Sequence, residues 1–240
     1  MTKSESEACD LLASSRLRWK TLRASGREWR NHGLVDQAWQ ARHARMRAEG
    51  RHFTTINVES KTQRSNERSA DWALWVAPPW RRAQFEVGFE AVDVVFRDSM
   101  WWSNGHGISR TNGGSPCTQH GSGPGEDLLR TKDYVDLINI TNVGSGEWIG
   151  RATLELGVTI RHDLNRTRGP GLHGLVIGDP DRIELTVDEE RGVVLRSQTW
   201  MGGHLCRAVE VTDVAFDEQF EDGVFEIEPL PGQAWVDLSA

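Results

Sequence analysis

The stretch from residue 182 to 216 constrains the fold more than any other. Three runs, 182–187, 193–201 and 204–216, are rich in β-branched residues and alternate in polarity. They are separated by Asp188-Glu189-Glu190-Arg191-Gly192 and by Gly202-Gly203, the residue types that close tight reversals. Strands joined by such short turns must pair antiparallel, since parallel neighbours need a crossover of a dozen residues or more. The second half of the chain therefore predicts an antiparallel sheet.

The first half adds strands and helices. Ser4 with Glu7 forms a capping-box pattern, and Ala8, Leu11, Leu12, Ser15 and Trp19 share one helical face, predicting an amphipathic helix over 5–17. Residues 21–29 are ambiguous and compatible with a strand. Asn31-His32-Gly33 reads as a break, after which Asp36 caps an Arg-rich helix ending near Ala48 before Gly50. Strands are expected at 53–58, at 72–77 up to Pro78-Pro79, at 83–89, at 92–96 and at 100–102. Residues 61–69 read as a loop, 105–125 as a long surface loop, 127–140 as the place of a short helix, 147–159 as a strand broken at Gly150 and Gly157, and 223–227 as a final short strand. The expected organisation is one domain. A helical N-terminal segment covers 1–50, and an antiparallel sheet covers 51–235, with Gly-rich loops at 103–126 and 161–181.

Composition narrows the function classes. The N-terminus has no apolar stretch of signal-peptide type, and no run of 18 apolar residues occurs, so the expected location is the cytoplasm. Three widely spaced cysteines suit free thiols in a reducing compartment. Residues 1–51 hold eleven Lys/Arg against six Asp/Glu, whereas 178–240 hold four against fifteen. Faces of opposite sign attracting one another within the fold explain this best. A basic N-terminal face touching an anionic membrane is the sharper alternative. The overall charge of -7 disfavours nucleic acid as a partner.

Catalytic and metal signals are weak. Cys117 and His120 make half of a zinc pattern without a second close pair, with His106, His204 and Cys206 elsewhere. Neither a phosphate-binding Gly-x4-Gly-Lys loop nor a Gly-x-Ser-x-Gly elbow is present, and no cofactor is implied. An enzyme using the loop at 105–125 would rely on His106 and His120. Eleven tryptophans beside one tyrosine are the more unusual feature, and Trp72, Trp75, Trp80, Trp101 and Trp102 fall close together. They either pack a core or line an aromatic cavity.

The segments WALWVAPPWRRAQFEVG (72–88), VVFRDSMWW (94–102), EWIGRATLEL (147–156) and the tail RIELTVDEERGVVLRSQTW followed by VEVTDVAFDEQFEDGVFEIEPLPG carry a resemblance. In this order they resemble the LolA-like lipoprotein-carrier superfamily, which includes the N-terminal domain of RseB-type regulators and the LppX-type lipoproteins of mycobacteria. The resemblance covers roughly residues 70–232. It implies an α+β, mostly β fold: a strongly curved antiparallel sheet, an incomplete β-barrel, covered by N-terminal and inserted helices. It also implies a non-enzymatic bacterial binding protein, a carrier or sensor that holds a lipid or other hydrophobic ligand on the concave face. Burial of an acyl chain there would contribute about 0.8 kcal/mol per CH₂. The residues expected to line that face are Trp72, Leu74, Phe85, Val87, Phe96, Trp101, Leu154 and Leu156. The family is usually exported or anchored, whereas this sequence shows neither a signal peptide nor a lipobox cysteine. A protein-interaction module with a closed core is the alternative role, and a half-barrel reaction chamber a further one.

Overall fold

The computed structural model describes residues 3–50, 66–87, 90–98, 100–111, 123–129, 131–161 and 178–238. Its helices are α1 (Glu5–Ser14), α2 (His32–Ala48), α3 (Gly123–Leu129) and α4 (Thr131–Val135). Its strands are β1 (Leu22–Asn31), β2 (Glu67–Ala77), β3 (Trp80–Val87), β4 (Glu90–Arg97), β5 (Met100–Gly105), β6 (Ile108–Thr111), β7 (Ile138–Trp148), β8 (Arg151–Ile160), β9 (Arg182–Asp188), β10 (Val194–Met201), β11 (His204–Phe216) and β12 (Val236–Asp237).

All twelve strands form one sheet in the order β12-β6-β5-β4-β3-β2-β1-β11-β10-β9-β8-β7. Every pairing is antiparallel except the short β12–β6 contact. The sheet is curved and open, not closed into a barrel. This is the α+β, mostly β architecture the sequence implied. The three C-terminal hairpin strands fall where their turn chemistry put them.

One face of the sheet carries the core. Leu22 and Ala24 on β1 stand opposite Val76 and Leu74 on β2, and Leu74 stands opposite Ala83 on β3. Ala83 is opposite Val94 on β4, and Phe96 is opposite Trp101 on β5. On the other side of β1, Val209 faces Ser197, Ser197 faces Leu185, and Leu185 faces Leu156. Because side chains alternate along a strand, these rungs place one continuous apolar layer on the inner face. Ala8, Leu11 and Leu12 of α1 and Leu128 of α3 join the same cluster.

The helices over this face are pinned locally. Ser4 and Glu7 complete the capping box: the Glu7 N–H donates to Ser4 Oγ, and the Ser4 N–H donates to Glu7 Oε2 at 2.6 Å. Thr131 Oγ1 donates to the Leu12 carbonyl at 2.7 Å, tying α4 to α1.

Several local expectations are corrected. The segment 1–50 is not helical throughout, since β1 runs through it and lies mid-sheet. Asn31 does not simply break the chain but caps α2, accepting from the Leu34 N–H at 3.1 Å, so the helix starts before Asp36. The loop expected over 105–125 contains β6 and the start of α3. The strand expected over 147–159 is a hairpin whose turn is Ile149-Gly150, and Gly157 continues β8. Residues 223–225 lie in a turn and 226–227 are irregular, so no strand forms there. They belong to a C-terminal segment crossing the outer face, where Arg82 Nη1 donates to the Val224 carbonyl and Trp80 stacks on Phe225. Asn104 Nδ2 then donates to the Glu228 carbonyl, and the Leu230 N–H donates to Ser109 Oγ. The strand expected at 53–58 lies outside the described residues.

The opposite charges of the two chain ends meet. Lys3 pairs with Glu189, Arg23 with Asp213 and Glu218, and Arg45 with Asp179. The β1–β11 pairing brings the Arg23 contacts about, which is the attraction within the fold that the charge distribution suggested.

Candidate ligand-binding face

Trp72, Leu74, Phe85, Phe96, Trp101, Leu154 and Leu156 fall on one face of the sheet, and Val87 occupies a backbone position of the same parity as Phe85. Phe85 packs against the margin of the core cluster, and the other six described side chains are buried within it. The strands that carry them lie on both sides of β1, so the face spans most of the sheet's width.

Trp72 sits at its centre. It stands opposite Gly26 on β1, at a point where the β1–β11 register slips by one residue. A Cβ at Gly26 would run into both the Glu210 carbonyl and the Trp72 ring. A Cβ at Gly125 of α3 would meet the same ring at Cε3 and Cζ3. Two bare backbones thus crowd one indole, the close approach that only glycine permits. Gly26→Ala should therefore destabilise the fold by about 1–3 kcal/mol through overpacking. Urea unfolding would measure it, and an unchanged midpoint would count against this packing. Trp72 is 4% exposed, and its Nε1–H has no acceptor among the described residues.

Towards one end the same face turns polar. Glu28, 8% exposed, accepts from Arg207 Nε at 2.5 Å and pairs with Arg30 Nε at 2.7 Å. Burial alone would raise the Glu28 carboxyl, but the guanidiniums of Arg207 and Arg30 outweigh it and hold the carboxyl below the ordinary carboxylate range. Nearby, Cys206 is buried and donates to the Thr199 carbonyl, and burial pushes its thiol up, away from the reactive thiolate.

The residues considered for catalysis or metal binding are not brought together. His106 stands on the β5–β6 turn with Nδ1 2.8 Å from Glu90 Oε2, and His204 is exposed at the start of β11. Cys117 and His120 lie outside the described residues, and no metal-type cluster occurs among those described. Two open grooves, of about 500 and 450 Å³, lie away from the apolar layer, one beside Arg151 and Asp188 and the other beside Trp29 and Leu34.

Solved structures of similar shape include MucB, matched with a TM-score of 0.50 at 13% identity over 93% of this chain and 62% of MucB. The chain shares its fold with MucB. The Pseudomonas aeruginosa MucB in complex with MucA matches equally well, with a TM-score of 0.50 at 14% identity over 92% of this chain and 61% of that one. The chain thus spans about three-fifths of MucB's length. An uncharacterised conserved protein of Thermus thermophilus also matches, with a TM-score of 0.50 at 10% identity, over 98% of this chain and 99% of its own. No family model and no curated protein matches the sequence. No helix among the described residues is long and apolar enough to cross a membrane.

Proposed function

We propose that the protein is a non-enzymatic binder that accepts a lipid or other hydrophobic ligand on the inner face of its LolA-like sheet, acting as carrier or sensor. One observation carries the reading: an apolar layer running from Phe96 and Trp101 through Trp72 and Leu74 to Leu154 and Leu156, held on a sheet that does not close on itself. α1 and α3 cover this layer, so a hydrophobic guest would enter between these helices and the sheet, a site that needs no catalytic group. The eight lining positions named from the sequence are the proposed contacts, with Trp72 and Trp101 as built-in reporters.

Native mass spectrometry after gentle purification, followed by lipid extraction, should recover a hydrophobic ligand. Titration with acyl chains should change the tryptophan fluorescence. An empty protein whose emission ignores every acyl chain would sink the proposal. A second reading, a protein-interaction module, is favoured by the complex that the similarly folded MucB makes with MucA. Its mark would be a stable complex with a protein partner that added acyl chains do not disturb.

A further inference from the structure

Residues 220–238 lie along the outer face of β3 to β6 as an extended peptide lies on a receptor. Strand alternation puts Trp80 and Arg82 of β3, Val95 and Arg97 of β4, Asn104 of β5 and Ser109 of β6 on this face. Their grip on the segment is mostly through its main chain. Arg82 Nη1 donates to the Val224 carbonyl at 2.8 Å, and Asn104 Nδ2 to the Glu228 carbonyl at 2.7 Å. Ser109 Oγ accepts from the Leu230 N–H at 2.8 Å. One side chain is read as well. Phe225 stacks on Trp80 with ring centroids 6.2 Å apart, Phe220 meets Phe225 edge-on at 5.7 Å, and Arg97 lies 4.9 Å over the Trp80 indole.

The segment is held by the fold without joining its core. No residue from 217 to 238 is buried, and none belongs to the core cluster. Val95 and Ser109 beneath it are 0% exposed, although they too stand outside that cluster. The start of the segment is anchored: Asp217 accepts from the Lys20 N–H at 2.6 Å, and its own N–H donates to the Thr21 carbonyl at 2.9 Å. Release beyond that point would leave the β1–β11 pairing closed. The far end makes incomplete use of the sheet edge, since β12 pairs with only Arg110 and Thr111 of the four β6 residues. Next to them the Gln233 side-chain amide donates to the Gly107 carbonyl at 2.7 Å and accepts from the Ser109 N–H at 3.1 Å. Those are the two bonds that the main chain of a residue opposite Ile108 would make in a parallel pair. A side chain thus stands where a longer strand would put its backbone. The occupant is also strongly acidic, with seven Asp/Glu and no Lys/Arg over 217–240, and it crosses Arg82 and Arg97.

We infer that this face is a docking groove for an extended, acidic segment of a protein partner, and that residues 220–238 hold it shut in cis. The partner pairs its main chain along the whole of β6, in place of β12 and the Gln233 amide, and sets an aromatic side chain on Trp80 in place of Phe225. Adding a strand to a sheet edge supplies affinity through main-chain bonds and specificity through alternate side chains. The groove lies on the opposite face from the apolar layer, so it and the hydrophobic-guest reading stand or fall separately.

The probe is a fluorescein-labelled synthetic peptide of residues 217–240, titrated with the full chain and followed by anisotropy. In the wild type the tethered copy competes at an effective concentration on the order of millimolar, so the peptide should bind weakly. Phe225→Ala removes the stack from the tethered copy alone and should tighten peptide binding by up to about tenfold. Gln233→Ala, at an exposed position where folding is not at stake, should tighten it by about fivefold. Adding Asn104→Ala to the Phe225→Ala chain should weaken the peptide again by about fivefold, because the groove itself loses a donor. A peptide with Asn and Gln in place of its Asp and Glu should bind several-fold less well. No tightening in either loosened variant would mean that the segment is a fixed part of the fold, and the proposal would fall. Equal binding of the neutral peptide would overturn the acidic partner. Loosened variants that dimerise by light scattering, in a form the peptide dissolves, would make the occupant a second copy of this chain and overturn the partner likewise.

Discussion

Glu28→Ala should destabilise the protein by about 3–5 kcal/mol, the usual consequence of stripping a buried ion pair of one member. Arg207, almost fully buried, would keep its charge and lose the acceptor of its Nε. Arg30 would lose the same carboxylate. The effect should depend on pH, and its sign follows from the depressed Glu28 carboxyl. A carboxyl held lower in the folded than in the unfolded chain contributes stability above its unfolded value, about 4.3. That contribution is lost as pH falls through the folded value. The penalty of Glu28→Gln, measured by urea unfolding, should therefore be largest at neutral pH and shrink in acid. A penalty that stays constant into acid would show that the carboxylate charge is not what matters there.

Trp72→Ala should cost about 3–5 kcal/mol, because the lost transfer energy adds to that of the cavity left behind. The site is poorly able to collapse. Gly26 and Gly125 flank the ring, and neither has a side chain to move into the gap. Trp72→Phe, which keeps an aromatic ring in the slot, should cost under about 1.5 kcal/mol. The two variants separate packing from mere aromaticity: equal losses in both would mean that the indole's full width is needed. If Trp72→Ala unfolds at the wild-type denaturant midpoint, the indole is not clamped between strand and helix. Thermal melts with and without a bound acyl chain would then show whether a guest refills the void, since a ligand bound only by the folded state raises the apparent stability.

Legibility in the sequence depended on how local the signal was. The hairpins from Arg182 to Phe216 could be read because their turns carry Gly and their strands alternate. The apolar members of the proposed site could be read for the same reason, as Trp72 and Leu74, or Leu154 and Leu156, are spaced by two. β1 was ambiguous because its inner face offers only Leu22 and Ala24 before Gly26, Glu28 and Arg30, a pattern that looks solvated until its partners are known. β7 was missed because it is an edge strand with Gly144 and Gly146 in its second half, and its register slips between Ile140 and Asn142. The pairing of Glu28 with Arg207 and the approach of Gly26 and Gly125 to Trp72 were invisible, since each joins residues far apart in sequence through strand register or helix docking.

The strand order has a kinetic consequence. β1 to β6 are neighbours in chain order, and so are β7 to β11, so each set is a meander of sequential strands. Only the β1–β11 seam joins the two mid-sheet, and its partners, such as Leu22 and Phe216, lie nearly a whole chain apart. Local pairings close quickly, whereas a loop of that size must first lose its entropy. The two meanders should form early and the seam last. On a ribosome the first strand would then wait for the last long one, its tryptophan-lined face uncovered until synthesis is nearly complete.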